Sequence, residues 1–413
     1  MTEAATAMSA RPNLLSRPAF RRYWTAQTVS LFGDEITLLA LPLLAILATG
    51  AGPAQMGALT AAGLIPSLLF SLPAGAWADR RRDKRRLMIT ADLGRALLLL
   101  LIPILYLLSA LSMTELYVVA FLVGTLSVLF EVCRTTLFVS LVGKQDFIAA
   151  NSLLNGGRAA AFMAGPSAGG VLVQVLTAPF ALVADALSYL FSGFMLARIR
   201  PVEPEPSRTK GLGLGEGLRF LWRSRVLRFM LAASTTLNLF NYMYSALLIL
   251  YAVTALHLSP ALLGTVLGIA SVGAITGAAL AGPLTARFGV GPTLIFSYVL
   301  FPAPLILVPL ASGDKTAVVA MLFAAELLSG LGVMLLDIVG GSLQAAVIPD
   351  DLRARVAGAH RTVNYGIRPV GALLGGGLGA ALGVHPTLWI ATIGACCAVG
   401  WLLLSPVPRI RRL

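Results

Sequence analysis

Three carboxylates stand deep inside long apolar runs, and these are the side chains of the chain best placed to do chemistry. Asp34 lies about 20 Å into its run at helical rise, close to the middle of a bilayer's thickness. Glu326 is central in another run, and Glu131 sits one helical turn before Arg134 near the end of a third. A carboxylate in a low-dielectric site favours its protonated form and releases the proton when water reaches it. Asp34, Glu131 and Glu326 are therefore the candidates for reversible proton uptake. The competing reading is a static buried ion pair, Asp34 with Arg158 or Glu326 with Arg368, those arginines being the deep cations of their own runs. Glu35 follows Asp34 but points about 100° away around a helix. Asp185 reads as structural, and Asp92 and Asp337, nearer the run ends, as gate or helix-end partners.

The elements that must position these groups are membrane spans. Of 413 residues, 57% are hydrophobic and only 12% charged, too little charge to cover a soluble surface. Mean hydropathy is +0.85. Apolar runs bounded by Gly, Pro or charge fall near 22–48, 55–78, 87–109, 115–141, 149–175, 179–198, 227–255, 260–285, 291–311, 316–346, 356–381 and 385–406. Each is long enough to cross a hydrocarbon core as a helix. The 41 glycines and 23 prolines suit helices that pack closely and bend. The expected fold class is an all-α integral membrane protein of about twelve transmembrane helices.

Charge orients the spans. Basic residues crowd alternate loops: Arg17, Arg21 and Arg22 before the first span, then Arg80, Arg81, Arg82, Lys84, Arg85 and Arg86 after the second. Lys144, the stretch from Arg200 to Arg225, Arg287, Arg353 and Arg355, and Arg409 to Arg412 continue the series, while the intervening loops carry only Lys315. On the positive-inside rule both termini face the cytoplasm and the protein resides in the inner, cytoplasmic membrane. The net charge of +13 is thereby read as topology and attraction to anionic membrane lipids, not as a nucleic-acid footprint. No secretory h-region is seen at the N-terminus.

The loop at 199–226 is the one long break, so the expected organisation is an N-terminal six-helix bundle at 1–198, a cytoplasmic linker, and a C-terminal six-helix bundle at 227–413. The linker begins extended at Pro201 to Pro206, and Gly215 to Arg225 reads as a short amphipathic helix. The halves repeat at a nearly constant offset. Gly75 to Arg80 aligns with Gly282 to Arg287, Gly57 with Gly264, and Gly165 and Gly169-Gly170 with Gly371 and Gly375-Gly376. Six spans per half give both halves one orientation, a parallel-repeat layout that places a binding site between them near the midplane. Asn241 stands where Asp34 repeats. Asn241, Tyr242 and Tyr244, with Arg158 and Arg368, are the candidate lining of a substrate cavity.

Gly75-Ala-Trp-Ala-Asp79-Arg80 and its basic continuation resemble the loop between the second and third helices of the major facilitator superfamily. Phe20-Arg-Arg-Tyr-Trp24 leading to Ser30-Leu-Phe-Gly33-Asp34, Ala150-Asn151-Ser152, and Gly165-Pro166-Ser-Ala-Gly169-Gly170 resemble its drug:proton antiporter branch, which includes macrolide-efflux proteins and the enterobactin exporter. The resemblance spans essentially the whole chain and implies two pseudo-symmetric bundles that rock about a central site. It further implies that Gly75, Asp79 and Arg80 belong to a conformational latch at the cytoplasmic helix ends, with Arg134 the nearest basic partner, and that Gly165, Pro166, Gly169 and Gly170 form an antiporter-like flexing contact. A solvated topogenic loop and a plain packing kink are the alternatives for those two motifs.

Catalytic chemistry has no foothold. There is no nucleotide-binding G-x-x-x-x-G-K-[ST] segment, and Cys133, Cys396, Cys397, His257, His360 and His385 show no metal spacing, so neither cofactor nor metal is expected. The histidines read as peripheral. The expected function is a proton-coupled exporter of small amphipathic or hydrophobic compounds, drug- or siderophore-like, acting as a monomer with protons and substrate as its partners. A lysophospholipid flippase of the same fold and a non-transporting membrane sensor or assembly partner are the alternatives.

Overall fold

The computed structural model describes residues 14–200, 214–350 and 352–412, without the side chains of Leu72, Ala76, Asp79, Leu214 and Ala354. Most of the expected linker and the side chain of the expected latch residue Asp79 therefore lie outside the described residues. Those described form helices and turns, with no strand among them. Six long helices come first: α1 (Pro18–Thr49), α2 (Pro53–Asp79), α3 (Lys84–Leu107), α4 (Met113–Leu141), α5 (Phe147–Leu176) and α6 (Ala178–Ala197). The short α7 (Leu214–Arg223) precedes α8 (Arg225–Thr254), α9 (Pro260–Phe288), α10 (Val290–Leu300), α11 (Leu307–Leu310), α12 (Lys315–Val347), α13 (Arg353–Leu382), α14 (Val384–Cys397) and α15 (Val399–Leu403).

Local chemistry sets the helix ends. Pro18, Pro53 and Pro260 open α1, α2 and α9, where a missing N–H costs nothing. Ser112, Ser224 and Ser259 accept N–H bonds as caps of α4, α8 and α9. Gly50, at φ 68°, ends α1 in the left-handed region. The ninth expected span is interrupted: Pro302 and Pro304 replace its middle with a 3₁₀ turn at Ala303–Ile306. Among the described residues, eleven spans are long and apolar enough to cross a membrane. The twelfth, α13, has 30 residues but misses on composition, because Arg368 and a run of glycines stand where leucines would.

The motif Phe20-Arg-Arg-Tyr-Trp24 stitches the basic end of α1 to its neighbours. Arg22 Nη1 donates to Arg198 O at 2.7 Å, Tyr23 Oη to Arg134 O at 3.3 Å, and Trp24 Nε1 to Leu153 O at 2.9 Å. Arg17 pairs with Asp146 at 2.7 Å. The carbonyls that end α6 thus find donors, as helix C-termini require; Arg85 Nη1 reaches Ile199 O at 2.6 Å. In the second half the chain's last turn does comparable work, with Arg411 Nη1 donating to Phe288 O at 2.7 Å.

The first six helices pack on one another, as do α8 to α15, and the two sets meet chiefly through α5 against α9 and α2 against α13. Each seam closes on glycine. A Cβ at Gly57 would fall on Ala372 O and Gly376 Cα, and one at Gly264 would fall on Pro166 O and Gly170 Cα. The repeat maps one pair onto the other: Gly57 corresponds to Gly264, and Gly376 to Gly170. Both contacts lie toward the ends that carry few basic residues. At the basic ends, a Cβ at Gly75, Gly156 or Gly282 would meet nothing within 4 Å. The close glycine contacts between the halves thus lie toward the end that carries few basic residues.

Because backbone atoms face these seam glycines and cannot swing aside, Gly57→Leu and Gly264→Leu are each expected to destabilise this closed seam by about 1–3 kcal/mol. Spin labels placed across the α5–α9 end should then move apart, whereas Gly75→Leu and Gly282→Leu should leave both that distance and the melting temperature unchanged. Equal effects at the two kinds of position would contradict this division.

Candidate functional site

The deepest cluster of charge lies within the first six helices. Asp92 and Arg95, three residues apart on α3, form a side-chain ion pair with relative exposures of 0% and 3%. Three residues on a helix bring side chains onto one face, so the pair is intrinsic to α3. Arg95 then reaches other helices. Its guanidinium lies over the rings of Tyr189 on α6 and Phe130 on α4, at 4.1 and 4.5 Å from the centroids, and Nη1 donates to Ser127 Oγ at 3.4 Å. Two aromatic faces and a carboxylate are what a guanidinium needs where water is scarce. Asp92 Oδ2 and Arg95 Nε are buried with no hydrogen-bond partner among the described residues.

Asp34 of α1 joins this cluster from the other side. Tyr189 Oη donates to Asp34 Oδ1 at 2.5 Å, and the charge of Arg95 acts on Asp34. One turn further along α1, Thr37 Oγ1 donates to Asp185 Oδ2 at 2.5 Å, and Ser188 Oγ donates to Asp185 Oδ1 at 2.9 Å. Gly33 makes this approach possible, since a Cβ there would collide with Asp185 Oδ1 and Ser188 Oγ. Asp34 and Asp185 therefore lie within electrostatic reach of the guanidinium that Asp92 pairs with. Asp92 takes the ion pair, and Asp34 is in none among the described residues.

The static pairs of the competing reading, Asp34 with Arg158 and Glu326 with Arg368, are not formed among the described residues. Arg95, not Arg158, is the cation beside Asp34. Arg158 is exposed, lies 5.3 Å from the Phe162 ring centroid, and acts on Glu35 and Asp337. Arg368 does not pair with Glu326: its Nε donates to Asn238 Oδ1 at 3.1 Å, and its guanidinium rests over Tyr365 and Tyr242 at 4.1 and 5.1 Å. No cation among the described residues acts on Glu326, which lies within electrostatic reach of Tyr244. Glu131 is outside the buried cluster: its side chain is 60% exposed and bidentate with Arg134, at 2.7 and 2.5 Å. Arg134, expected in the latch, is thus occupied by Glu131, and Arg80 is exposed at the end of α2.

Asn241, Tyr242 and Tyr244 do not form one surface. Tyr242 and Tyr244 are about 200° apart on α8. Tyr242 lies beneath Arg368, while Tyr244 is buried in the apolar core and its hydroxyl lacks a partner among the described residues. The antiporter-like motif also divides by face. Gly165 and Gly169 lie against Glu35 and Ile36 of α1, whereas Pro166 and Gly170 meet Gly264, Pro260 and Ala261 of α9. The motif therefore joins the charge-bearing helix to the seam between halves.

Arg95 was the residue sequence reasoning passed over, although Asp92-Leu-Gly-Arg95 already had the spacing of a helical ion pair. His360, expected to be peripheral, instead sits among Ser234 Oγ, Gln344 Nε2 and Asn364 Nδ2, with contacts from 3.1 to 3.5 Å. Asn364 receives a bond from Asn238 at 3.3 Å, which completes a polar chain from His360 to Arg368 between α8 and α13.

Two like-oriented helix sets, glycine seams between them and buried charge at mid-depth define a membrane transporter of the major facilitator type, not an enzyme. The chain belongs to the transmembrane secretion effector family of that superfamily, whose model matches residues 10–412. It is 26% identical to the multidrug efflux pump Tap of Mycolicibacterium fortuitum over 410 residues, covering 92% of this chain and 93% of that one. Among solved structures, a bacterial homologue of the iron transporter ferroportin in an inward-facing state superposes with TM-score 0.74 at 16% identity, covering 94% of this chain and 98% of the other. An inward-facing, occupied bacterial homologue of the lysosomal transporter Spinster gives 0.73 at 13%, covering 95% and 98%.

Removing Arg95 leaves Asp92 buried without its counter-ion, a loss expected to destabilise the fold by about 3–5 kcal/mol. Arg95→Leu should lower the melting temperature in detergent sharply, and adding Asp92→Asn should recover much of that loss. An Arg95→Leu protein as stable as the wild type would contradict the assignment.

Proposed function

We propose that the protein is a proton-coupled exporter of small amphipathic or hydrophobic, drug-like compounds, working by alternating access in the inner membrane with both termini cytoplasmic. The observation that carries this reading is Asp34: deep in α1, hydrogen-bonded to Tyr189 and in no ion pair among the described residues, it lies with Asp185 in the field of the guanidinium that Asp92 pairs with. When one guanidinium is set against three carboxylates, a proton on Asp34 reduces the charge buried there, and its loss restores it. A proton can therefore change the energy of this cluster, which a satisfied one-to-one ion pair would resist. The resemblance to the multidrug efflux pump Tap supports drug-like compounds as cargo.

Movement follows from the same helix. Asp34 and Glu35 are neighbours on α1, Glu35 lies against Gly165 of α5, and the next turn of α5 bears the Gly170 contact with α9. In this account the seams close the outer side while the basic ends stand apart, so cargo enters from the cytoplasm. Asp34 gives up its proton to water from that side. When the seams part and the basic ends close, cargo leaves outward and Asp34 takes a proton from outside. The residues 1–198 and 227–413 would rock as units, with Asp79 and Arg80 contributing to the cytoplasmic latch. Arg368, stacked on Tyr242 and Tyr365, offers a flat cationic surface for the polar part of a substrate.

Inverted vesicles carrying the protein, with ethidium as probe, should accumulate dye when their interior is acidic and lose it when an uncoupler is added. Asp34→Asn should abolish this gradient-driven uptake by at least tenfold while leaving dye exchange at equal pH intact. Full gradient-driven uptake by Asp34→Asn would refute the role of Asp34, and uptake insensitive to the uncoupler would refute proton coupling.

A further inference from the structure

We propose that an apolar groove between α7, α8 and α15 binds one anionic glycerophospholipid of the cytoplasmic leaflet, with an acyl chain in the groove and its phosphate among arginines at the mouth. The groove measures about 460 Å³ and is walled by Leu221 and Trp222 of α7, Phe229 and Leu231 of α8 and Trp401 of α15. That volume falls within the ~300–1,000 Å³ usual for small-ligand sites. Its interior offers little to a polar guest. Trp401 Nε1 already donates to Thr236 Oγ1 at 3.1 Å, and Thr235 Oγ1 is a lone buried hydroxyl without a partner among the described residues. The part of an occupant that enters must be hydrocarbon.

The mouth has the opposite character. Arg219, Arg223, Arg225 and Arg228 are all exposed along the α7–α8 junction, and Arg228 itself lines the groove. None of the four has a carboxylate partner among the described residues. The one acid of α7, Glu216, is committed to Arg355 of α13 at 2.5 Å. Four guanidinium groups with no carboxylate partner among the described residues, beside a greasy slot, complement a phosphate joined to an acyl chain. The depth also fits: Trp222 and Trp401 are 59% and 43% exposed at the basic end, where indole rings favour the headgroup boundary.

The groove is separate from the proposed transport route. α15 packs on α8 and α10, and α7 packs on α13 and α8, away from the Gly57–Gly376 and Gly170–Gly264 contacts. A lipid seated here would join the short helix to the second half of the molecule and stabilise that contact by mass action. The inference does not depend on proton coupling, so either can fail alone.

The test is lipid retention by the full-length protein purified in detergent, read by native mass spectrometry during titration with dioleoylphosphatidylglycerol or dioleoylphosphatidylcholine. The wild type should hold one phosphatidylglycerol at concentrations on the order of tenfold below those needed for phosphatidylcholine. Arg223→Gln/Arg225→Gln/Arg228→Gln should lose that preference. Ala232→Trp, which fills the groove and leaves every arginine in place, should lose tight retention of either lipid. Equal retention of the two lipids by the wild type would overturn the proposal. So would undiminished phosphatidylglycerol retention by the arginine variant or by a folded Ala232→Trp protein.

Discussion

A guanidinium at mid-depth in a membrane protein must be surrounded, and the arrangement of the first six helices follows from how Arg95 is surrounded. Its own helix supplies Asp92, α4 supplies Ser127 and the face of Phe130, and α6 supplies the face of Tyr189. Tyr189 in turn donates to Asp34 of α1. Four helices are thus tied through one side chain whose exposure to lipid would be costly. The same ties bring the carboxylates of Asp34 and Asp185 into the cluster, so the interaction that stabilises the bundle also gathers its titratable groups.

The glycine seams convert that local cluster into a property of the whole molecule. Helices that meet through Cα and carbonyl atoms can form two discrete arrangements, closed or parted, with few side chains to accommodate intermediate positions. α5 carries both relationships on one motif, facing α1 through Gly165 and Gly169 and α9 through Pro166 and Gly170. A change at Asp34 or Glu35 is therefore one helix away from the contact between halves. The repeat gives the second seam, Gly57 with Gly376, the same construction without the adjacent carboxylate, since Asn241 occupies the position equivalent to Asp34. In the proposed account the proton-responsive Asp34 belongs to the first half, while the second half holds Glu326 and the Arg368–Tyr242–Tyr365 stack.

The spans, their number and the glycine repeat could be read from the chain because lipid imposes one rule on length and apolarity, whatever the packing. α13 was recoverable despite its poor hydropathy because its length and flanking charges still mark a span. The interruption at Pro302 and Pro304 was signalled by the prolines but is invisible to a count of apolar residues. The depth of Asp34 was legible from its place in the run. Its partner was not: depth says that a charge needs company, while only the rotation and crossing of α1, α3 and α6 decide whether Arg95 or Arg158 provides it. The same rotation separates Tyr242 from Tyr244 and draws His360 into a polar chain. Periodicity within one helix carries no information about the angle at which the next one meets it.

If cargo and proton compete through the Asp34–Tyr189–Arg95 cluster, loading the transporter with cargo should expel a proton. The most direct measurement is therefore proton release from the purified protein in weakly buffered detergent solution on addition of ethidium, followed as a function of starting pH. The account predicts release approaching one proton per protein over a limited pH range, and none from Asp34→Asn despite retained dye binding. Saturable dye binding by the wild type with no proton released at any pH, or equal release from Asp34→Asn, would contradict it.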